Sequence, residues 1–247
     1  MGFPHKDLRE FLDDLDKAGD LLTIDKEVDW NLEAGAIIRR AAELGAGYSW
    51  KQGGTPGILM NNITGYPGQS IAGHIIGSMS RTARVFGLPD PDKAAPDGPT
   101  IRALQARYIE ALDHRVKPVL VKDAPVKKNK AFGADVDLFK HPAPMVHDGD
   151  GGRYMNTFHI VSIKDPDTDW TNWGCYRSMI HDKRSLTGLF IPSQHGPSIY
   201  ARKYEPKGEA CPFGIACGPD PLSFFFAGAL APVGVSEMDI VGAARKQ

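Results

Sequence analysis

Cysteine is scarce in this chain: Cys175, Cys211 and Cys217 are the only three, and no CxxC pair occurs. A disulfide framework is therefore not expected, and a reducing compartment fits better. Cys211 and Cys217 could in principle clamp a metal, but small buried thiols behaving as hydrophobes are the plainer reading. Net charge is also lacking, with 29 basic against 30 acidic side chains and a balance of -1. No broad field draws the chain to nucleic acid or to an anionic membrane, although a local anion site needs only a few groups. No apolar run approaches the roughly 20 residues of a membrane span. The start, MGFPHKDLREFL, has no apolar stretch of the kind a signal peptide carries. The chain reads as soluble and cytoplasmic, without internal repeats or low-complexity tracts.

What is present is enough apolar material for a sizeable core, 42% of residues. Leu8, Phe11, Leu12 and Leu15 recur at helical spacing over 7–18, and Gly19 offers a helix end. Leu21 to Ile24 reads as a short strand. A second amphipathic helix is expected over 31–44, with Leu32, Ile37, Ile38, Ala41 and Leu44 inward and Asp29 or Asn31 as its cap. Gly45 to Pro56 reads as a loop, Gly57 to Ile63 as a strand, and LPDPDKAAPDGP over 88–99 as a linker. A helix follows over about 100–114, with Leu104, Tyr108, Ile109 and Leu112 on one face. Val119 to Val121 is read as a strand.

Beyond this point short β-rich runs alternate with turns: TFHIVSIKD, NWGCYRSMIHD and SLTGLFI. Pro166 to Trp170 reads as the hairpin turn joining the first two. Regular strands with few helices suggest a small barrel. Helices are expected over 197–204 and 220–230, and a final strand over Glu237 to Ala244. The class is α/β of the α+β type, with an N-terminal mixed α/β domain over 1–118 and a barrel domain over 119–247.

Three side chains carry metal chemistry: Asn172, His195 and Glu237. An amide oxygen, an imidazole nitrogen and a carboxylate suit Mn2+ or Mg2+ and leave room for phosphate oxygens and water. Their spacings of 23 and 42 residues form no local motif. On residue chemistry alone the ordinary readings stand beside this one: Asn172 in a turn, His195 at a helix cap, Glu237 as a solvated strand charge. Arg177 has a fixed charge and a planar fork suited to a carboxylate, or it makes a surface ion pair. Asn172 and Arg177, five residues apart, face opposite sides of an unbroken strand. Both serve one site only if Asn172 sits at the strand's entry or a bulge intervenes, for which Gly174 is suited. HPAPMVHDGDGGRY, with His141, His147, Asp148 and Asp150, could hold a metal but reads more plainly as a solvated loop, and Phe224 to Phe226 read as core, with a flavin wall as the lesser alternative.

The runs GGRYMNT, NWGCYR, Gln194-His195 and EMDIVGA, in that order, resemble the signature of the UbiD-type prenylated-FMN-dependent decarboxylases. The opening DLREFLDDLDKAGDLLTIDKEVD and the PGILMNNITGYPG run are similar to that family's N-terminus. The resemblance implies a flavin-reductase-like split β-barrel, incomplete at its C-terminus. It implies non-oxidative, reversible decarboxylation of an aromatic or α,β-unsaturated carboxylic acid. It matches Asn172, His195 and Glu237 to the ligands of a divalent cation, usually Mn2+, that bridges to the phosphate of prenylated FMN. A potassium ion is implied near Phe226, Ala227 and Ala229. Trp173, Gly174, Cys175, Tyr176 and Gln194 are matched to the flavin lining along with the ligands, and Arg177 to the catalytic arginine that orients the substrate carboxylate. A flavin prenyltransferase would supply the cofactor, and a homo-oligomer or a complex with further subunits is implied.

The electrostatics agree with that assignment. A buried phosphate dianion costs several kcal/mol or more unless compensated, and a chain near neutrality must supply the compensation locally. Members of the family are commonly longer, with two catalytic glutamates beyond the position of Glu237 and then a C-terminal domain. The chain is therefore expected to be a fragment or a short member. Two other readings remain: a split-barrel oxidoreductase using ordinary FMN, and a non-catalytic binding or assembly subunit.

Overall fold

The computed structural model describes residues 3–44, 54–91 and 98–245. Most of the expected loop over 45–56 and the middle of the expected linker over 88–99 lie outside the described residues.

The first helix, α1 (Leu8–Ala18), forms where the apolar spacing predicts it. The Asp7 side chain accepts from the Glu10 backbone N–H, and Gly19 closes the helix in the left-handed region at φ 66°. Both ends are thus capped by residues suited to the task. Strand β1 (Leu21–Ile24) pairs in parallel with β2 (Gly57–Met60), which pairs antiparallel with β3 (Ile71–Gly73). Between them, α2 (Glu33–Glu43) covers the sheet. Its cap differs from expectation. Leu32 sits before it at φ 68° with no side-chain cap, and the Glu33 carboxylate instead accepts from the Asp29 backbone N–H at 2.7 Å. Leu32 and Leu44 are exposed rather than inward, because both lie outside the helical turns that face the sheet.

Two further helices, α3 (Met79–Val85) and α4 (Gly98–Asp113), complete the first part. On α4, Leu104, Tyr108 and Leu112 pack inward as expected, whereas Ile109 is exposed. The expected strand at Val119 to Val121 does not form. No strand pairs with it among the described residues, and Leu120 is 99% exposed. β-branched residues favour a strand only where a partner edge exists.

The second part holds two three-stranded antiparallel sheets. One has the order β4 (Tyr154–Asn156), β7 (Ser178–Ile180), β8 (Leu186–Gly188). The other has the order β6 (Thr171–Gly174), β5 (His159–Lys164), β9 (Phe213–Cys217). The 166–170 turn joins β5 to β6 as expected, with Lys164 opposite Thr171. NWGCYRSMIHD is not one strand. It breaks after Gly174 and resumes at Ser178 in the other sheet. No bulge forms at Gly174, the register irregularity lying between Tyr154 and Asn156, and across the break Asn172 is buried while Arg177 is exposed, so the opposed facing persists.

Helix α5 (His195–Ile199) starts two residues earlier than expected and runs into a π-helical turn at Tyr200–Tyr204. Asp220 caps α6 (Pro221–Gly228), whose phenylalanines serve the core: Phe226 is buried, Phe225 meets Phe86 edge-on, and Phe224 stacks on Phe158. The expected strand from Glu237 is instead a helix, α7 (Glu237–Arg245). Ile240 and Val241 suggested a strand, but with Ala243 and Ala244 they join the core between α4 and α6. Glu237 and Asp239 in its first turn complement the helix dipole. Phe11, Leu15, Phe226 and Ile240 share one core that spans both parts of the sequence, each worth roughly 1.5–3 kcal/mol on burial. Val116 N–H donates to the Asp239 carbonyl at 2.9 Å, holding the chain after α4 against α7. Among the described residues no helix is long and apolar enough to cross a membrane.

Candidate active site

Strand β6, α5 and the start of α7 meet beside the β6–β5–β9 sheet. Hairpin pairing fixes β6 against β5, and the polar side chain of Ser236 fixes the approach of α7: its hydroxyl accepts from the Thr171 backbone N–H at 3.0 Å. Trp170 adds a second tie, its indole N–H donating to the Val235 carbonyl at 3.1 Å.

Asn172 and Glu237 are each 2% exposed and touch directly. The Asn172 amide donates from Nδ2 to Glu237 Oε1 at 3.0 Å and to the Trp173 carbonyl at 3.0 Å. The other carboxylate oxygen of Glu237 accepts from the Trp173 backbone N–H at 2.8 Å. Burial pushes the Glu237 carboxyl above the ordinary carboxylate range, opposed by the hydrogen bonds it accepts. Among the described residues no lysine or arginine pairs with it. A buried carboxylate met only by neutral donors keeps an uncompensated charge, and a cation removes that penalty. The amide, imidazole and carboxylate set fits a hard divalent ion.

His195 is the first residue of α5, half-buried, with Gln194 exposed before it as a cap that makes no side-chain bond. Its ring meets Trp170 edge-on at 5.5 Å, and Trp170 is tied to the residues entering α7. A second route runs through the next residue: Gly196 N–H donates to the Tyr176 hydroxyl at 3.2 Å, and that hydroxyl donates to Asn172 Oδ1 at 3.1 Å. Asn172 and Glu237 are thus in contact, whereas among the described residues the His195 ring meets Trp170 and bonds to neither of them; only its neighbour Gly196 is tied to Asn172, through the Tyr176 hydroxyl.

The other expected residues are placed variously. Trp173 packs on the large core, Gly174 ends β6, and Cys175 is exposed with its thiol donating weakly to the His159 carbonyl at 3.5 Å. Tyr176 is buried among Val161, Ile163 and Ile199 rather than open on a surface. Arg177 is exposed, without an ion pair among the described residues. A groove of about 690 Å³ opens alongside, lined by Arg115, Lys117, Leu120, Trp170, Val235 and Met238. Near the expected potassium position, Phe226 and Ala227 are buried, and the Phe226 carbonyl accepts from Ala229 N–H at 3.2 Å.

Two residues escaped the sequence reading. Ser236 was not singled out before Glu237. Asn156, the last residue of GGRYMN, is wholly buried. It donates to the Tyr176 carbonyl at 3.1 Å and accepts from the Ser178 N–H at 3.1 Å, gripping the chain on both sides of Arg177. The only signal was a polar residue at the inward end of a short strand.

Residues 117–247 match the 3-octaprenyl-4-hydroxybenzoate carboxy-lyase Rift-related domain, and residues 12–95 match the N-terminal domain of the same carboxy-lyase. The chain belongs to the UbiD family. Among characterised relatives it is 36% identical over 248 residues to pyrrole-2-carboxylic acid decarboxylase of Pseudomonas aeruginosa, covering 96% of this chain and 46% of that protein. It is 32% identical over 247 residues to ferulic acid decarboxylase 1 of Saccharomyces cerevisiae, covering 97% and 47%. The closed form of vanillic acid decarboxylase from Sedimentibacter hydroxybenzoicus superposes with a TM-score of 0.86 at 27% identity, over 99% of this chain and 49% of that one. An evolved dimeric form of the UbiD-class enzyme HmfF from Pelotomaculum thermopropionicum, in complex with prFMN, gives a TM-score of 0.81 at 26% identity, over 96% and 50%. The chain spans about half the length of the relatives it matches.

Proposed function

We propose that this UbiD-family chain forms the prenylated-FMN and metal-binding part of a carboxy-lyase that decarboxylates an aromatic or α,β-unsaturated carboxylic acid. In this reading residues 1–118 and 119–247 are its two units. Asn172, His195 and Glu237 hold Mn2+ or Mg2+, with K+ bound nearby by carbonyls around Phe226, Ala227 and Ala229. The observation that carries the reading is the buried Glu237 carboxylate, bonded to Asn172 and Trp173 with no cationic side chain against it among the described residues. A relative of similar fold was solved with prFMN, which supports the cofactor.

When bound, prenylated FMN supplies the electron sink that carbon–carbon cleavage needs. The chain's own residues do the rest. Glu237 contributes the one negative charge of the ligand set, while Asn172 and His195 add none to repel a phosphate. Arg177, exposed and free of an ion pair among the described residues, offers its fork to the substrate carboxylate. Its flanking peptides are fixed by Asn156, so the arginine is presented from a rigid base. A flavin prenyltransferase supplies the cofactor, the product is CO₂, and the working assembly is a homo-oligomer or includes further subunits.

The test is co-expression with a flavin prenyltransferase and manganese, followed by metal analysis and the mass of the extracted flavin. Native protein should carry both a divalent metal and a flavin heavier than FMN, and Glu237→Ala should lose the metal. Equal metal and flavin in the two proteins overturns the site assignment. Flavin of the mass of FMN would instead favour an ordinary FMN oxidoreductase.

A further inference from the structure

We propose that Tyr176 is a positioning residue for the cation site, setting the relation between Asn172 and the start of α5. The proposal rests on the reading of Asn172, His195 and Glu237 as the ligand set.

A phenol has one donor and can accept in return, and Tyr176 uses both capacities at this place. Its hydroxyl donates to Asn172 Oδ1 at 3.1 Å and accepts from the Gly196 N–H at 3.2 Å. Gly196 directly follows His195, so one oxygen links one ligand, Asn172, to the residue next to another on a different element. The amide of Asn172 is fixed from its other end as well. Its Nδ2 meets two acceptors, the Trp173 carbonyl and Glu237 Oε1; a cation shared by Oδ1 and Glu237 would replace the Nδ2–Oε1 bond, whereas the Tyr176 bond to Oδ1 uses one lone pair and leaves the other for the ion.

Backbone space has been left for the ring. A methyl on Gly174 would come within 2.5 Å of the phenol, and one on Gly196 within 2.8 Å of Asn172 Oδ1 and 3.0 Å of the phenol. The ring itself is clamped by Val161, Ile163 and Ile199 and meets Phe190 edge-on at 5.4 Å. A core tyrosine that only needed a partner for its hydroxyl would require one bond, to any acceptor. Here both bonds go to the residues that define the spacing of the ligand set. Groups that orient metal ligands typically contribute about 10- to 100-fold in metal affinity.

The experiment is a manganese titration of the flavin-free protein, using the metal alone and following free Mn2+ by electron paramagnetic resonance, with thermal melts of the metal-free proteins in parallel. Tyr176→Phe keeps the ring and its packing and removes only the hydroxyl. It should weaken manganese by about 10- to 100-fold, while Glu237→Ala abolishes binding. Gly196→Ala should weaken manganese by a separate route, by pressing on Asn172 and the phenol, and it keeps the proposal testable if Tyr176→Phe does not fold. If the native protein binds manganese, Glu237→Ala does not, and either tyrosine or glycine variant binds as tightly as native, Tyr176 is a structural residue only and the inference is overturned alone. A lower melting temperature with unchanged manganese affinity overturns it in the same way. If the native protein binds no better than Glu237→Ala, the ligand reading fails and this inference with it.

Discussion

Asn156→Ala tests whether the loop bearing Arg177 is held by one buried amide. Asn156 has no exposed surface. Its Oδ1 accepts from the Ser178 N–H at 3.1 Å, at the place where β4 and β7 fall out of register, so the side chain replaces a missing ladder bond. Its Nδ2 donates to the Tyr176 carbonyl at 3.1 Å and to the Ser178 hydroxyl at 3.2 Å. Alanine leaves the Ser178 N–H buried without that acceptor, which costs about 1–3 kcal/mol. The Tyr176 carbonyl keeps the Ser178 hydroxyl at 3.3 Å, so its loss is smaller, about 0.5–1.5 kcal/mol. The sum is roughly 2–4 kcal/mol, or a melting temperature lower by roughly 5–15 °C for a chain of this size. Urea unfolding followed by tryptophan fluorescence should show a lower midpoint at an unchanged slope. Asn156→Asp should be no better, since it keeps the acceptor but loses the donor and buries a charge. A loss below about 0.5 kcal/mol, the range of surface substitutions, would refute the reasoning: the turn between β6 and β7 would then hold its shape unaided.

Three further outcomes are expected. Arg81 is wholly buried, donating to Asp20 Oδ1 at 3.2 Å and to the Thr55 carbonyl at 2.5 Å. Asp20→Asn should therefore destabilise by about 3–5 kcal/mol in urea unfolding, with much of it regained in Asp20→Asn/Arg81→Met; a neutral single variant counts against a paired buried charge. His159 is held below the usual histidine range by burial, which outweighs the Tyr176 and Thr157 backbones, neither aligned for a full hydrogen bond; His74 is lowered by burial and by the charge of Arg81. Both take a proton less readily in the fold than when unfolded, where they titrate near pH ~6.5, so stability is intact above that pH and declines as pH falls below it. The decline should be shallower in His159→Asn, and equal stability at pH ~7.5 and ~5.5 removes the claim. Arg153 lies 4.0 Å from the Trp30 ring centroid and donates from Nε to the Ala143 carbonyl at 2.6 Å and from Nη2 to the Tyr66 hydroxyl at 2.6 Å. Arg153→Lys loses the planar stack and the fork and should cost about 1–3 kcal/mol; thermal melts matching native would show that only the charge matters there.

The sequence by itself determined the elements whose signals are local. The Phe11–Leu15 spacing with Asp7 and Gly19 at its ends defined α1, and the turn formers from Pro166 to Trp170 defined the β5–β6 hairpin. Six ordered runs were enough to point to the family, because family identity resides in sequence order rather than in any contact. Tertiary structure alone decided the rest. Ile240 and Val241 read as a strand until the faces of α4 and α6 took them as a helix, and Val119 to Val121 read as a strand although no edge was there to receive it among the described residues. Propensity is a weak bias of about 1 kcal/mol per residue or less, and burial against a partner overrides it. The contact between Asn172 and Glu237, the phenol of Tyr176 against Asn172 and Gly196, and the grip of Asn156 around Arg177 join residues 4 to 65 positions apart. No periodicity encodes such pairs; they exist only once β4 is paired with β7 and β6, α5 and α7 are packed together.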